Sequence, residues 1–166
     1  MSQYPLNELK KKIKLLQDAT RYEHTLGVMY TAASLAMRYD EDVEKALVAG
    51  LLHDVAKNFS TNLEHGPLGA KIVSEEFGIS DQYITDAICY HTTGRPNMTL
   101  LDKIIYVADY IEPNRNKAPN LAILRKLAFE NMDDCLRWIL KDTIDYLKQQ
   151  QKEIDSMTEQ AYEYYK

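Results

Sequence analysis

Apolar residues recur every three or four positions from one end of the chain to the other, and no stretch alternates with the two-residue period of a strand. Such a chain buries its apolar surface by packing helices on helices. Leu6, Leu9, Ile13 and Leu16 form the first stripe, with a solvated lysine run between them. Thr20 and Glu23 have capping-box spacing and predict the start of a second helix, with Tyr22, Leu26, Met29, Ala33 and Ala36 as its stripe and His24 near its N-terminal end. Asp40 is placed to cap a third, in which Val43, Ala46, Leu47, Gly50 and Leu51 turn inward. A fourth is expected from Pro67 to Gly78, a fifth from Ser80 to His91, and a sixth from a cap at Thr99 and Asp102 to near Asp109, broken by Pro113. Beyond Pro119, LAILRKLAFEN and MDDCLRWILKDTIDYLKQQQ predict two more, followed by the tyrosine-rich tail AYEYYK. The expected fold is all-α, a helical bundle forming a single domain over residues 1–166, with its core over about 18–115 and C-terminal helices over about 120–166.

The 166 residues, 45% apolar and 27% charged, suffice for one globular core. No apolar run reaches the about 18 residues needed to span a bilayer, and MSQYPLNELKKKIKLLQ lacks the features of a secretory leader. A cytoplasmic protein with no membrane partner is therefore expected. Cys89 and Cys135 have no CxxC companion, which argues against a thiolate zinc site and a disulfide framework. A net charge of −5 disfavours a broad basic face for polymeric nucleic acid and leaves room for a small phosphorylated substrate.

The chemistry is concentrated in histidines and buried acids. All four histidines, His24, His53, His65 and His91, lie in the first two thirds of the chain, each on or beside a helix with an apolar stripe. One such histidine alone is more often a core or surface residue than a ligand. His53 and Asp54, however, end VAGLLHDVAK, a segment apolar almost all round, where a carboxylate must be paired, hydrogen-bonded or coordinated. Asp109 stands in the same position in IIYVADYIEP. Each site read alone has an ordinary explanation: a partly exposed helix end for the pair, a salt bridge to a distant arginine for Asp109. Taken together, His24, His53, Asp54 and Asp109 make two imidazoles and two carboxylates on three buried helices, a mixed N/O set suited to Fe, Mn, Co or Zn, with coordination positions left for water and substrate.

His24, then His53-Asp54, then Asp109, in that order on helices, resembles the motif of the HD-domain metal-dependent phosphohydrolase superfamily. The stretches AGLLHDVAK, LEHGPLGAKIV, AICYHTTGRPNM and KIIYVADYIEPNR are similar more narrowly to the YqeK-like family of symmetrical bis(5'-nucleosyl)-tetraphosphatases, from Arg21 to the C-terminal helix. That resemblance implies His24, His53, Asp54 and Asp109 as metal ligands, iron as the ion, and His65 and His91 as catalytic or phosphate-contacting groups that could help hold a second metal. It further implies substrate contacts from Arg21, Lys57, Thr92, Arg95 and Arg115 and from the Glu153, Asp155 and Met157 turn, with Asp54, His65, His91 and Asp109 lining the same pocket. It implies cleavage of diadenosine tetraphosphate into two ADP molecules, and a homodimer. The family usually carries a longer insertion between Asp54 and His65, where NFSTNLEHG joins them here, a difference that bears on the lid over the substrate and the choice of nucleoside.

Three alternatives stay open at this level. Another HD-type nucleotide phosphatase or phosphodiesterase would use the same metal. A non-catalytic nucleotide sensor would keep the pocket without turnover. A helical interaction protein, with 12 tyrosines and AYEYYK as a docking tail, would leave the histidines incidental.

Overall fold

The computed structural model describes residues 2–61 and 64–166. Among these residues it has nine helices and no strand: α1 (Leu6–Leu16), α2 (Ala19–Tyr39), α3 (Val43–Leu52), α4 (His65–Glu76), α5 (Gln82–Cys89), α6 (Leu100–Ile111), α7 (Leu121–Glu130), α8 (Met132–Gln149) and α9 (Ser156–Tyr165). The all-α expectation holds, and one apolar core runs from Leu9 and Ile13 of α1 through α2, α3, α5 and α6 to Leu124, Leu136, Leu140 and Ala161 of α7 to α9. No helix among the described residues is long and apolar enough to cross a membrane.

Several helix ends differ from their sequence expectations, at α2 and α3 because more than one polar residue was available to cap. Helix α2 is capped by Asp18, which accepts from the Arg21 amide at 2.8 Å, and not by the Thr20 and Glu23 pair. Asp40 closes α2 in a left-handed conformation (φ 58°) instead of opening α3, whose N-cap is Asp42. Helix α4 begins at His65, two residues before Pro67, and is followed by Gly78 at φ 68°. Helix α5 starts after Asp81, whose side chain accepts from Tyr83 and Ile84 amides, and ends at Cys89, so His91 stands just beyond it. The Thr99 and Asp102 capping box is present as expected, and α6 carries on past Asp109 to Ile111. The tyrosine-rich tail is helix α9: Tyr165 Oη accepts from the Met98 amide at 2.6 Å, and Ala161 is buried, so the segment packs on the chain's own core.

Helices α2, α3 and α6 form the central layer. Gly50 lets α3 lie directly on α2, since a Cβ there would come within 2.8 Å of the Met29 Cα. That close approach places the end of α3 beside the first turns of α2. After Leu52 the chain continues as tight turns, with Val55 bonded to Leu52, Lys57 to Asp54 and Phe59 to Ala56, and these carry His53 and Asp54. Within the short NFSTNLEHG connection, Asn62 and Leu63 lie outside the described residues.

Candidate metal centre

Four helix systems deliver the four histidines to one place, and each ring is held by its Nδ1. His53 and His91 sit just past the ends of α3 and α5, where last-turn carbonyls have no helical partner. Each donates to one of these, His53 to Gly50 O and His91 to Ile88 O, both at 2.7 Å. His65 opens α4 and donates to Thr61 O at 3.3 Å. His24 lies inside α2, and its Nδ1 meets the Glu112 carboxylate at 3.3 Å. Carbonyl and carboxylate oxygens only accept, so Nδ1 carries the hydrogen in each case and Nε2 is turned to the cavity.

Those Nε2 atoms converge on Asp54 and Asp109. His24 Nε2 is 3.0 Å from Asp109 Oδ1 and 3.7 Å from Asp54 Oδ2. His53 Nε2 is 3.3 Å from Asp54 Oδ2 and 3.5 Å from Asp109 Oδ1. The other oxygen of Asp54, Oδ1, faces His65 and His91 at 3.3 and 3.4 Å. His65 and His91 bring their Nε2 atoms within 2.9 Å of each other, and Thr92 Oγ1 lies 3.3 Å from both. Asp54 thus presents one oxygen to each of two clusters. The donor atoms of His24, His53 and Asp109 lie within 4.8 Å of one another, as do those of His53, Asp54 and His91.

This donor set fits a divalent cation. His53 is fully buried, and its Nε2 has no hydrogen-bond partner, because the nearby carboxylate oxygens lack hydrogen-bond geometry. A buried polar atom in that state is costly unless something binds it. Burial opposes charge on the ring, but Asp54 and Asp109 outweigh it and push the His53 pKa up from 6.5 to about 10. Burial likewise opposes charge on the two acids, yet His53 holds Asp54, and His24 and His53 hold Asp109, well below the ordinary carboxylate value. Both acids are therefore ionised at neutral pH. The set of neutral-capable imidazole nitrogens and carboxylates suits a borderline or first-row transition metal.

Two arginines flank the donors. Arg21 donates from Nη1 to Asp54 Oδ2 at 2.8 Å while a third of its side chain remains exposed. Arg115 donates to the Asp109 carbonyl at 3.0 Å. Lys57 follows Asp54 by one turn, its amide on the Asp54 carbonyl. Arg95, expected to meet a phosphate, is instead bound to acids: its Nε is 2.9 Å from Asp102, its Nη2 is 3.1 Å from Asp86, and its guanidinium stacks on the Tyr90 ring at 4.5 Å. The 153–157 turn is also a local structure. Asp155 caps α9 by accepting from the Met157 amide at 2.8 Å, and among the described residues no hydrogen bond or ion pair joins Glu153, Asp155 or Met157 to the donors.

Sequence reasoning gave no role to Glu112, Asn114 or Arg125. Glu112 is buried behind His24, and Asn114 donates its amide to Glu112 Oε2 at 3.1 Å. Arg125 gathers the carbonyls of Ile111, Glu112 and Arg115, fixing the loop after α6. The available signal was the position of Glu112 in ADYIEPNR, one turn past Asp109 and just before the proline that stops the helix.

Comparison with known proteins agrees with this geometry. Residues 21–114 match the HD domain family, a span that includes all four histidines and both acids. The chain is 43% identical over 148 aligned positions to the symmetrical bis(5'-nucleosyl)-tetraphosphatase of Bacillus subtilis, covering 76% of this chain and 79% of that protein. It is 33% identical to the Staphylococcus aureus protein of the same description, over 96% of this chain and 94% of the relative. The Bacillus alignment has more positions than this chain contributes residues, so the relative carries residues with no counterpart here. A solved structure of an HD superfamily hydrolase described as involved in NAD metabolism, from Clostridium acetobutylicum, superposes with a TM-score of 0.91 at 34% identity, covering 98% of this chain and 97% of that one. With the histidines and acids of that family gathered at one focus, the chain belongs to the HD-domain family of hydrolases, beside the symmetrical bis(5'-nucleosyl)-tetraphosphatases.

Proposed function

We propose that this protein hydrolyses diadenosine tetraphosphate symmetrically, water and the dinucleotide giving two ADP molecules, at a cation held by His24, His53, Asp54 and Asp109. The observation that carries the reading is the 43% identity to a symmetrical bis(5'-nucleosyl)-tetraphosphatase in a chain whose imidazoles and carboxylates share one focus. When bound, the cation supplies a nucleophile usable at neutral pH and offsets charge on the phosphoryl oxygens.

The chain's own groups do the rest. Arg21 and Arg115, on two sides of the acids, suit the phosphate oxygens, each able to offer paired N–H groups. Lys57 adds positive charge one turn from Asp54. An inner phosphorus is attacked in line, and the departing ADP oxygen takes a proton from His65 or His91, with Thr92 orienting them.

A second cation beside His65 and His91 has its own support. Both rings donate from Nδ1 to carbonyls, so both Nε2 lone pairs face each other 2.9 Å apart, an arrangement that a shared proton or a cation relieves. The reading extends to iron as the resident ion, with Mn, Co and Zn as substitutes, to the cytoplasm and to a homodimer, all resting on the sequence resemblance. It takes residues 18–115 as the part that carries chemistry and 120–166 as its support.

The test is product analysis on purified protein with added Fe(II), Mn(II), Co(II) or Zn(II), alongside metal content. ADP as sole product, lost together with bound cation in His53→Ala, is expected. ATP plus AMP as products would overturn the symmetry, and turnover of nucleoside monophosphates with an inert dinucleotide would transfer the site to another HD-type phosphatase activity. Cation-loaded protein that binds nucleotide without turnover would make it a sensor.

A further inference from the structure

Three of the four histidines are anchored on backbone carbonyls, His53 and His91 on those of the last turns of α3 and α5 and His65 on that of Thr61 in the loop before α4. His24 has no such choice, because it lies in the interior of α2, where carbonyls are consumed by the helix's own ladder. Its anchor comes from another helix end: Glu112, the C-cap residue of α6, reaches across so that Oε1 meets His24 Nδ1 at 3.3 Å. Glu112 is 1% exposed, and its second oxygen is fixed by the Asn114 amide at 3.1 Å. Asn114 is itself tied to α2, its side-chain amide donating to the Glu23 carbonyl at 3.2 Å.

Room for this carboxylate exists only because residue 27 is glycine. Gly27 is on α2 three residues after His24, and a Cβ built there would overlap Glu112 Oε2 and Cδ. In a helix interior glycine is otherwise a poor choice. Here it opens the slot in which the carboxylate lies against the helix backbone.

From this arrangement we infer that Glu112 is the positioning residue of His24, fixing its ring and its tautomer so that Nε2 faces Asp109 and the cation, and that Gly27 is the space the carboxylate requires. The inference rests on the cation site proposed above and adds a residue to it. Glu112 touches neither substrate nor reacting atoms. A buried carboxylate behind a metal-binding imidazole both orients the ring and strengthens its nitrogen as a donor.

The test compares wild type, Glu112→Ala, Glu112→Gln and Gly27→Ala, each stripped of metal by chelation and titrated with Co(II). Cation affinity and the visible ligand-field spectrum of bound Co(II) are read, and melting of the stripped proteins controls for the fold. Glu112→Ala and Gly27→Ala are expected to lower Co(II) affinity by about 10- to 100-fold and to change the spectrum. Glu112→Gln, whose amide oxygen still accepts from Nδ1, is expected to restore most of the affinity. Gly27→Ala keeps every polar group and only displaces a flexible carboxylate, so it carries the test if Glu112→Ala fails to fold. Wild-type affinity and spectrum in Gly27→Ala and Glu112→Ala would overturn the inference while leaving the cation site standing; a wild-type protein that takes up no Co(II) would overturn both.

Discussion

Replacing Arg95 with methionine separates two roles that sequence alone cannot tell apart. As a phosphate contact, Arg95 would matter for substrate and little for stability. Its geometry says otherwise. Its Nη2 and Nε lie 2.7 and 2.9 Å from Asp102 Oδ2, and the Asp102 side chain is 1% exposed against 22% for Arg95. Asp102 keeps only the Thr99 amide, at 3.0 Å, once the guanidinium is gone, and its Oδ1 already has no partner. Stranding a buried carboxylate costs about 3–5 kcal/mol, and the partial exposure of Arg95 lowers the expectation to about 2–3 kcal/mol. Urea unfolding at neutral pH measures it. Adding Asp102→Asn removes the stranded charge, so the double variant should recover about 1 kcal/mol or more relative to Arg95→Met alone. The same clamp ties α5 and α6 to the loop that follows His91 and Thr92, so kcat should fall with it. A stability change of less than about 0.5 kcal/mol combined with a raised KM for diadenosine tetraphosphate would refute this reasoning and return Arg95 to the phosphates.

Gly50→Ala should destabilise the protein by about 1–3 kcal/mol in thermal or urea unfolding, because the new methyl meets the Met29 backbone, which cannot move aside as a side chain can. An unchanged or raised melting temperature would mean that α2 and α3 are not in such close contact. Asp81→Ala should cost about 1 kcal/mol at neutral pH by removing the cap of α5 and the 2.8 Å pair with Lys45. Burial opposes ionisation of Asp81, but Lys45 and the Ile84 and Tyr83 amides hold its carboxyl below the ordinary value. A depressed folded-state pKa stabilises above the unfolded value, about 3.9, and that stabilisation is lost as pH falls through the folded one, so the gap between wild type and variant should close below about pH 4. A gap that persists in stronger acid would show that the carboxylate charge is not what stabilises the cap.

Helical periodicity and composition determined the architecture, because burying a stripe at 3.6-residue spacing leaves helix packing as the only outlet. The same patterning made His53, Asp54 and Asp109 legible as chemistry, since a carboxylate inside an apolar helix needs a partner wherever it folds. Local rules also found the Thr99 and Asp102 box, where one strong pair had no competitor. They failed at Asp40 and at Thr20 with Glu23, where Asp42 and Asp18 offered equally good oxygens two positions away. Only the tertiary structure decided which charges meet. Arg95 is a phosphate contact by family resemblance and a clamp by position, because the packing of α5 on α6 brings Asp86 and the buried Asp102 together on either side of its guanidinium. What Glu112 binds was unreadable because that partner, His24, lies 88 residues away and the slot for the carboxylate depends on the missing side chain of Gly27. Periodicity acts within one helix, where neighbours are set by the chain; hydrogen bonds and ion pairs depend on distances of a few ångströms between helices, which exist only once the bundle has packed.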